Sequence, residues 1–173
     1  MKETFQIIED LKRARVIEDY AVADEVGALF YIEPSATLDI DFLLDLPSSE
    51  NLLISLEPIH AWLRMRGYSE FDDQGNIVIE KWPVQFLPVN DALSGEALAR
   101  AQYLPFDETL NVRVLSPEYL AAEALKVGRP KDLGSISQLL ASDEFDSDRF
   151  LDLVHRFGLQ EKWAKLEPLL DQD

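Results

Sequence analysis

The sequence predicts an α/β protein, more narrowly α+β, in which helices flank a mixed β-sheet and the C-terminal region is helical. Short apolar strands alternate with helical segments over the first 46 residues, whereas only helical periodicity follows residue 116. Apolar residues make up 47% of the 173 residues and charged residues 28%, a balance typical of globular proteins. We expect a core over residues 1–115, with a helical region over 116–173 packed on the same domain.

The first elements alternate between helix and strand. Apolar residues at helical intervals predict an amphipathic helix over 3–17. A short strand over 20–22 follows, and then a buried helix over 26–31 that ends before Pro34. A strand over 37–46 completes this part, so that two strands and two helices are expected to form the start of a layered structure.

Turn signals divide the middle of the chain into short elements. In order, these are a helix from Ser55 to Arg66, a hairpin of 68–71 with 77–80, a strand over 84–87, a helix capped by Asn90 and ending at Arg100, and a strand over 110–114.

The remainder is predicted to be helical. Ser116, Pro117 and Glu118 form a strong helix start, because an N-cap, a first-turn proline and an acid favoured by the helix dipole follow one another. That helix is expected to end at Gly128. Further helices are predicted over 131–140 and 146–157, with a short last one around Trp163.

Two aspartates on the strand over 37–46 are the main functional signal. Asp39 and Asp41 are two residues apart, so a strand points both carboxylates to one face, and Asp45 lies further along the same row. Paired carboxylates of this kind can hold a hard divalent cation. An edge strand with a solvated acidic face explains the spacing equally well. The opposite, core-directed face would carry Ile40, Phe42 and Leu44.

Composition excludes several classes of site. The chain has no cysteine and two histidines, so disulfides and thiolate metal sites are excluded and any metal is expected to have oxygen ligands. With 33 acidic and 16 basic residues, the net charge of −17 disfavours nucleic-acid binding. The basic cluster to note is Lys126, Arg129 and Lys131. No apolar run of membrane-spanning length and no signal peptide are found, so we expect a cytoplasmic protein without a membrane partner.

Several motifs, taken in chain order, resemble those of the nucleotidyltransferase superfamily, particularly the minimal nucleotidyltransferases and the AbiEii-type toxins. The resemblance begins with Thr37, Asp39, Ile40 and Asp41, which match the strand motif Thr-x-Asp-Ile-Asp that follows Glu33-Pro34. It continues through Val84-Gln85-Phe86-Leu87-Pro88, Leu115-Ser116-Pro117-Glu118-Tyr119-Leu120 and Gly128-Arg129-Pro130-Lys131-Asp132.

The resemblance implies transfer of a nucleoside monophosphate from a nucleoside triphosphate to an acceptor hydroxyl. Asp39 and Asp41 would be the catalytic residues and the ligands of Mg²⁺, the implied cofactor. The implied partners are a nucleoside triphosphate, a toxin or antitoxin protein and, as the one nucleic acid, a tRNA-type acceptor. Nucleotide or phosphate contacts are implied for Thr37, Gln85, Arg129 and Lys131.

Two positions depart from the superfamily pattern. Ala23 and Asp24, followed by Glu25, stand where a glycine pair would let backbone N–H groups approach the phosphates. Gln85 stands where a third carboxylate is common. Glu80 and Asp45 are the acids that could replace it.

These departures leave two interpretations open: the protein has the fold but has lost triphosphate chemistry, or it is a divergent active transferase. A third hypothesis, from another class, is a non-catalytic module that binds a partner through its acidic surface. The residues also have purely structural explanations. Asp24 and Glu25 would cap a helix, and Arg129 and Lys131 would belong to a turn between helices.

Overall fold

The computed structural model describes residues 1–33, 39–47, 54–130 and 132–170. Its strands are β1 (Asp19–Val22), β2 (Ile40–Asp45), β3 (Ile77–Ile79), β4 (Trp82–Pro88), β5 (Gln102–Pro105) and β6 (Asn111–Val114). Its helices are α1 (Lys2–Arg13), α2 (Asp24–Ala28), α3 (Glu57–Arg64), α4 (Ala92–Arg100), α5 (Pro117–Val127), α6 (Asp132–Leu140), α7 (Ser147–Arg156) and α8 (Gln160–Leu170).

The strands form one mixed six-stranded sheet in the order β3-β4-β2-β1-β6-β5. Strand β2 lies at its centre, antiparallel to β1 and parallel to β4. Strands β1 and β6 are parallel, and each edge strand pairs antiparallel with its neighbour. The predicted fold class, a mixed sheet flanked by helices with a helical C-terminal region, is confirmed.

Helices cover both faces of the sheet. On the face covered by α1 and α3, Phe5 packs edge-on against Phe42 of β2, with ring centroids 6.1 Å apart. On the other face, Leu43 of β2 packs in a cluster with residues of α4 and α5. The alternation predicted for β2 is therefore correct: Ile40, Phe42 and Leu44 belong to the core on the α1 side.

The helices α6, α7 and α8 extend the core on the α4–α5 face. Leu153 of α7 and Leu166 of α8 belong to the same buried cluster as Leu43. Glu118 of α5, which is 3% exposed, accepts a hydrogen bond from the backbone N–H of Asp146, the residue that caps α7. No helix in the described ranges is long and apolar enough to cross a membrane.

Several predicted boundaries were wrong for identifiable reasons. Helix α1 ends at Arg13 rather than residue 17, since Arg15 adopts a φ of +57°. Helix α2 begins two residues early and has five residues. Asp91, not Asn90, caps α4, and its carboxylate accepts a hydrogen bond from the Ser94 N–H at 2.8 Å.

The predicted hairpin is formed only in part. An antiparallel bridge between Phe71 and Ile77 and a hydrogen bond from the Val78 N–H to the Glu70 carbonyl at 2.8 Å join the two predicted arms, but the first arm is not a strand of the sheet. The hairpin of the sheet is formed instead by β3 and β4, which are joined at Glu80 and Lys81 with φ values of +50° and +73°. Two successive positive φ values are typical of a tight type I′ turn.

Candidate functional site

The candidate site lies at the end of the sheet where β1 stops and β2 begins. The Ala23 N–H donates to the Asp41 carbonyl at 2.9 Å, so the residue after β1 sits beside Asp41. On the other side, the parallel register of β2 and β4 places Gln85 beside Asp41. Leu115, just before α5, donates its N–H to the Val22 carbonyl at 3.2 Å. Three strands and two helix starts therefore meet at this end.

A cavity of about 330 Å³ opens there, between the sheet end and helices α4 and α5. Its polar wall includes Asp24, Asp41, Gln85, Ser94, Glu123, Lys126 and Arg129. Its apolar wall includes Leu43, Leu87, Leu115, Leu120 and Val127. This volume is sufficient for a small organic molecule.

Asp24 is the first residue of α2 and has a φ of +46°, a conformation that favours glycine. Its carboxylate oxygen Oδ2 accepts a hydrogen bond from Arg129 Nη2 at 2.7 Å. The same side chain is hydrogen bonded to Asp41. Asp24 thus links the start of α2, the central strand and the segment after α5.

Asp41 is 7% exposed. The pKa of its carboxyl is raised to about 8, chiefly because the group is buried. The hydrogen bond with Asp24 and the negative charges of Asp24 and Asp39 raise this pKa further, whereas the positive charge of Arg129 lowers it by a smaller amount. Its Oδ1 atom is buried without a hydrogen-bond partner. Asp41 therefore holds a proton more tightly than an exposed aspartate and has one acceptor atom still unused.

Arg129 is held by two carboxylates. Besides Asp24, it contacts Asp132, whose Oδ1 lies 2.9 Å from Arg129 Nη2. Asp132 is 2% exposed and also accepts a hydrogen bond from the backbone N–H of Arg129 at 3.1 Å. These hydrogen bonds, foremost the one to Asp132, raise the pKa of Arg129 further, so it remains a fixed cation.

Lys126 forms a second ion cluster at the cavity. Its Nζ lies 2.9 Å from Asp91 Oδ2, and it also pairs with Glu123 Oε2 one helical turn earlier. Burial raises the pKa of Glu123, against the opposing effect of Lys126. The other carboxylate oxygen of Glu123, Oε1, is buried without a partner.

Solved structures with the same architecture identify the fold. A crystal structure of an antigenic nucleotidyltransferase-like protein from Paracoccidioides brasiliensis aligns with 97% of this chain and 90% of its own, with a TM-score of 0.53 and 14% identity. A solution structure of the antibiotic-resistance factor ANT(2″)-Ia aligns over 99% and 98% of the two chains, with a TM-score of 0.53 and 17% identity. The chain has the nucleotidyltransferase fold.

A crystal structure of ANT(2″)-Ia in complex with adenylyl-2″-tobramycin gives the same result, covering 92% of this chain and 98% of that one, with a TM-score of 0.54 and 16% identity. No protein-family profile and no curated protein sequence matches the chain. At these sequence identities, the structural similarity establishes the nucleotidyltransferase fold alone.

Within this nucleotidyltransferase fold, three of the residues predicted for the site lie together. Asp41, Gln85 and Arg129 line the cavity. Asp39 lies immediately before β2 rather than within it, and its charge acts on Asp41. Thr37 and Lys131 lie outside the described residues. The roles predicted for all six remain predictions.

The two acids proposed as replacements for a third carboxylate lie elsewhere. Asp45 is the last residue of β2, at the far end of the strand from Asp41, and is exposed. Glu80 is in the β3–β4 turn and accepts a hydrogen bond from the Tyr68 hydroxyl. Glu123 was not predicted from the sequence, because nothing in its spacing distinguishes it from other acids on helices.

The Mg²⁺ site predicted at Asp39 and Asp41 remains a prediction. Among the described residues, no three side chains from histidine, cysteine, aspartate and glutamate are grouped so that they could hold a metal ion. Asp41 instead shares a hydrogen bond with Asp24, and the nearby positive charge is the guanidinium of Arg129. Asp24, Asp41, Arg129 and Asp132 thus form a cluster of ionisable groups at this end of the sheet.

Proposed function

We propose that this protein is a non-catalytic descendant of a nucleotidyltransferase, which retains the fold and the cavity but does not transfer a nucleoside monophosphate. One observation carries the proposal. The side chain at the glycine-pair position, Asp24, is hydrogen bonded to Asp41 and ion-paired with Arg129. The predicted metal ligand and the predicted phosphate contact are therefore both engaged by a residue that replaces the predicted phosphate-binding glycine.

Electrostatics at the cavity support the proposal. A triphosphate would meet the carboxylate of Asp24 at the start of α2, where a phosphate-binding helix presents bare N–H groups. One like-charge pair at 4 Å costs about 4 kcal/mol at an effective dielectric constant of 20. Arg129 cannot offset this cost freely, because its guanidinium already contacts Asp24 and Asp132.

Calorimetric titration tests the proposal. Mg²⁺ with each of the four ribonucleoside triphosphates is titrated into the wild type and into the Asp39→Ala, Asp41→Ala double variant, alongside an active nucleotidyltransferase as positive control. We expect no metal-dependent binding by the wild type. Binding by the wild type that the double variant loses would contradict the proposal and favour a divergent active transferase.

The toxin–antitoxin role and the acidic interaction surface remain predictions. Both require a partner protein, and the net charge of −17 favours a basic one. Affinity purification from the native host, at low and high salt, would identify such a partner. A stable complex that salt dissociates would support the interaction hypothesis.

A further inference from the structure

The sheet side of the cavity carries an open carboxamide. Strands β2 and β4 pair in parallel with Asp41 beside Gln85 and Leu43 beside Leu87, and all four residues line the cavity. Paired residues of neighbouring strands lie about 4.8 Å apart and share a face, so their side chains form one continuous patch. Gln85 is the exposed residue of β4, although β4 is an interior strand of the sheet, because the cavity leaves this position uncovered.

The carboxamide of Gln85 has its hydrogen-bonding capacity unused. Within the described ranges, neither its side chain nor that of Asn90, the other carboxamide of the cavity, takes part in a hydrogen bond, and both residues are exposed. The Ser94 hydroxyl, in contrast, donates to the Asp91 carbonyl and accepts from the backbone N–H groups of Asn90 and Asp91. The open, unpartnered polar side chains of the cavity are therefore both uncharged amides.

The charged side chains of the cavity are already engaged within the protein. Each has a partner: Lys126 with Asp91 and Glu123, Arg129 with Asp24 and Asp132, and Asp41 with Asp24. A charged ligand would have to displace one of these partners or lie beside a group of its own sign. An uncharged ligand would leave every pair intact.

The remaining lining is mostly apolar. Helix α5 contributes Leu120, Ala124 and Val127, which are spaced i, i+4 and i+7 and so lie on one helix face. From the sheet, Leu43 and Leu87 line the same cavity of about 330 Å³. Since burial of apolar surface favours binding, a ligand that fits here has an apolar body and a small polar edge.

We infer that this cavity binds a small uncharged amide of the lactam class, with its amide edge on Gln85. The glutamine carboxamide both donates and accepts hydrogen bonds. A lactam presents an N–H and a C=O side by side, so one lactam and one carboxamide can form two hydrogen bonds at once. Its methylene ring then contacts the leucines of the sheet and of α5. The inference rests on the proposed function in one respect, that no metal–triphosphate complex fills the cavity.

Lactam titrations followed by NMR test the inference. δ-Valerolactam and ε-caprolactam are titrated into the isotope-labelled full chain, and the side-chain amide resonances of Gln85 are identified by their absence in Gln85→Leu. The N-methyl derivative of each lactam, which keeps the ring and the C=O but lacks the N–H, is the control. We expect the lactam to shift the Gln85 resonances and to bind at least about threefold more tightly than its N-methyl derivative, because one hydrogen bond contributes about two- to tenfold to affinity. Equal affinities, or no shift at Gln85, would overturn the inference.

Two glutamine variants locate the binding. Gln85→Leu keeps the size of the side chain but removes its amide, so the preference for a lactam over its N-methyl derivative should disappear. Gln138→Leu, at an exposed position of α6 outside the cavity, is the matched control and should keep the wild-type preference. Circular dichroism confirms folding of each variant. A preference that persists in folded Gln85→Leu would overturn the inference.

Titration of magnesium–nucleotide complexes into the same samples separates this inference from the proposed function. Lactam binding without nucleotide binding supports both. If neither ligand binds, the inference fails and the proposed function stands. If nucleotide complexes displace the lactam, or bind when no lactam does, both fail.

Discussion

At the scale of single residues, the decisive contact joins Asp24 to Arg129, positions that are 105 residues apart in the sequence. The alternation along β2 was sufficient to predict that Ile40, Phe42 and Leu44 share one face, because side chains alternate along a strand. No periodicity relates Asp24 to Arg129. Their pairing depends on where the C-terminal end of α5 lies relative to the sheet. A local sequence pattern does not specify that position.

Asp41 makes stability depend on pH. Its pKa is raised from 3.8 to about 8 in the folded chain, so the folded protein keeps a proton that the unfolded chain releases. The stabilising contribution is complete below the unfolded pKa and is lost as pH rises through the folded pKa. Between pH 6 and 8, the free energy of unfolding should therefore fall by about 2 to 3 kcal/mol from this group.

Asp41→Asn removes this dependence, because an amide does not titrate. Urea unfolding of wild type and variant at pH 6 and pH 9 measures it. We expect the variant to gain stability relative to the wild type on going from pH 6 to pH 9. The exposed Asp143→Asn is the control and should follow the wild-type profile. If the free energy of unfolding of Asp41→Asn and of the wild type changed equally between pH 6 and pH 9, Asp41 would be ionised in both the folded and the unfolded chain.

At the scale of elements, the strong helix starts and the alternating strands were predictable, whereas β5 was not. Its four residues, Gln102–Pro105, are mostly exposed, so no apolar alternation marks them. Pairing with β6 defines the strand, and that pairing is a tertiary interaction. The five-residue helix α2 is likewise held by its packing, because isolated helices of that length are unstable.

Gly27 allows α2 to lie against β1 and α5. A Cβ atom there would be 3.0 Å from the Val22 carbonyl oxygen and 3.0 Å from Leu120 Cδ2. Gly27→Ala should therefore destabilise the protein by about 1 to 3 kcal/mol. Gly134→Ala is the matched control, because a methyl group at that position of α6 would have no heavy atom within 4 Å. It should stabilise the protein by about 0.5 to 1 kcal/mol.

Thermal or urea denaturation of the two glycine variants provides the measurement. Opposite signs are the expected result, because both substitutions raise helix propensity but one of them creates a contact with main-chain oxygen. Equal stabilisation by both would mean that α2 can move away from β1 without cost.

At the scale of the whole molecule, one buried cluster contains Leu43 of the sheet, Tyr119 of α5 and Leu166 of α8. The domain boundary predicted at residue 115 remains a prediction, but the buried cluster is continuous across that position. Residues 1–115 and the helices beyond them should unfold in one transition.

Tryptophan fluorescence can follow each part separately. In the Trp62→Phe, Trp82→Phe variant, the remaining Trp163 reports on α8, where it packs on the cluster of the α4–α5 face. Its unfolding curve should coincide with the far-ultraviolet circular dichroism of the same variant. Trp163→Phe leaves the other two tryptophans, which pack on the opposite core, as the reciprocal probe. A Trp163 transition that precedes the loss of circular dichroism would mean that the C-terminal helices detach independently.

The left-handed backbone at Asp24 has a consequence for the history of the gene. Every aspartate codon becomes a glycine codon through a single-base substitution, and glycine adopts a φ of +46° without strain. That replacement would remove the carboxylate from the start of α2 while leaving the backbone in place. Such a revertant lies one mutational step away, so its absence in a population of these genes would indicate selection for the aspartate.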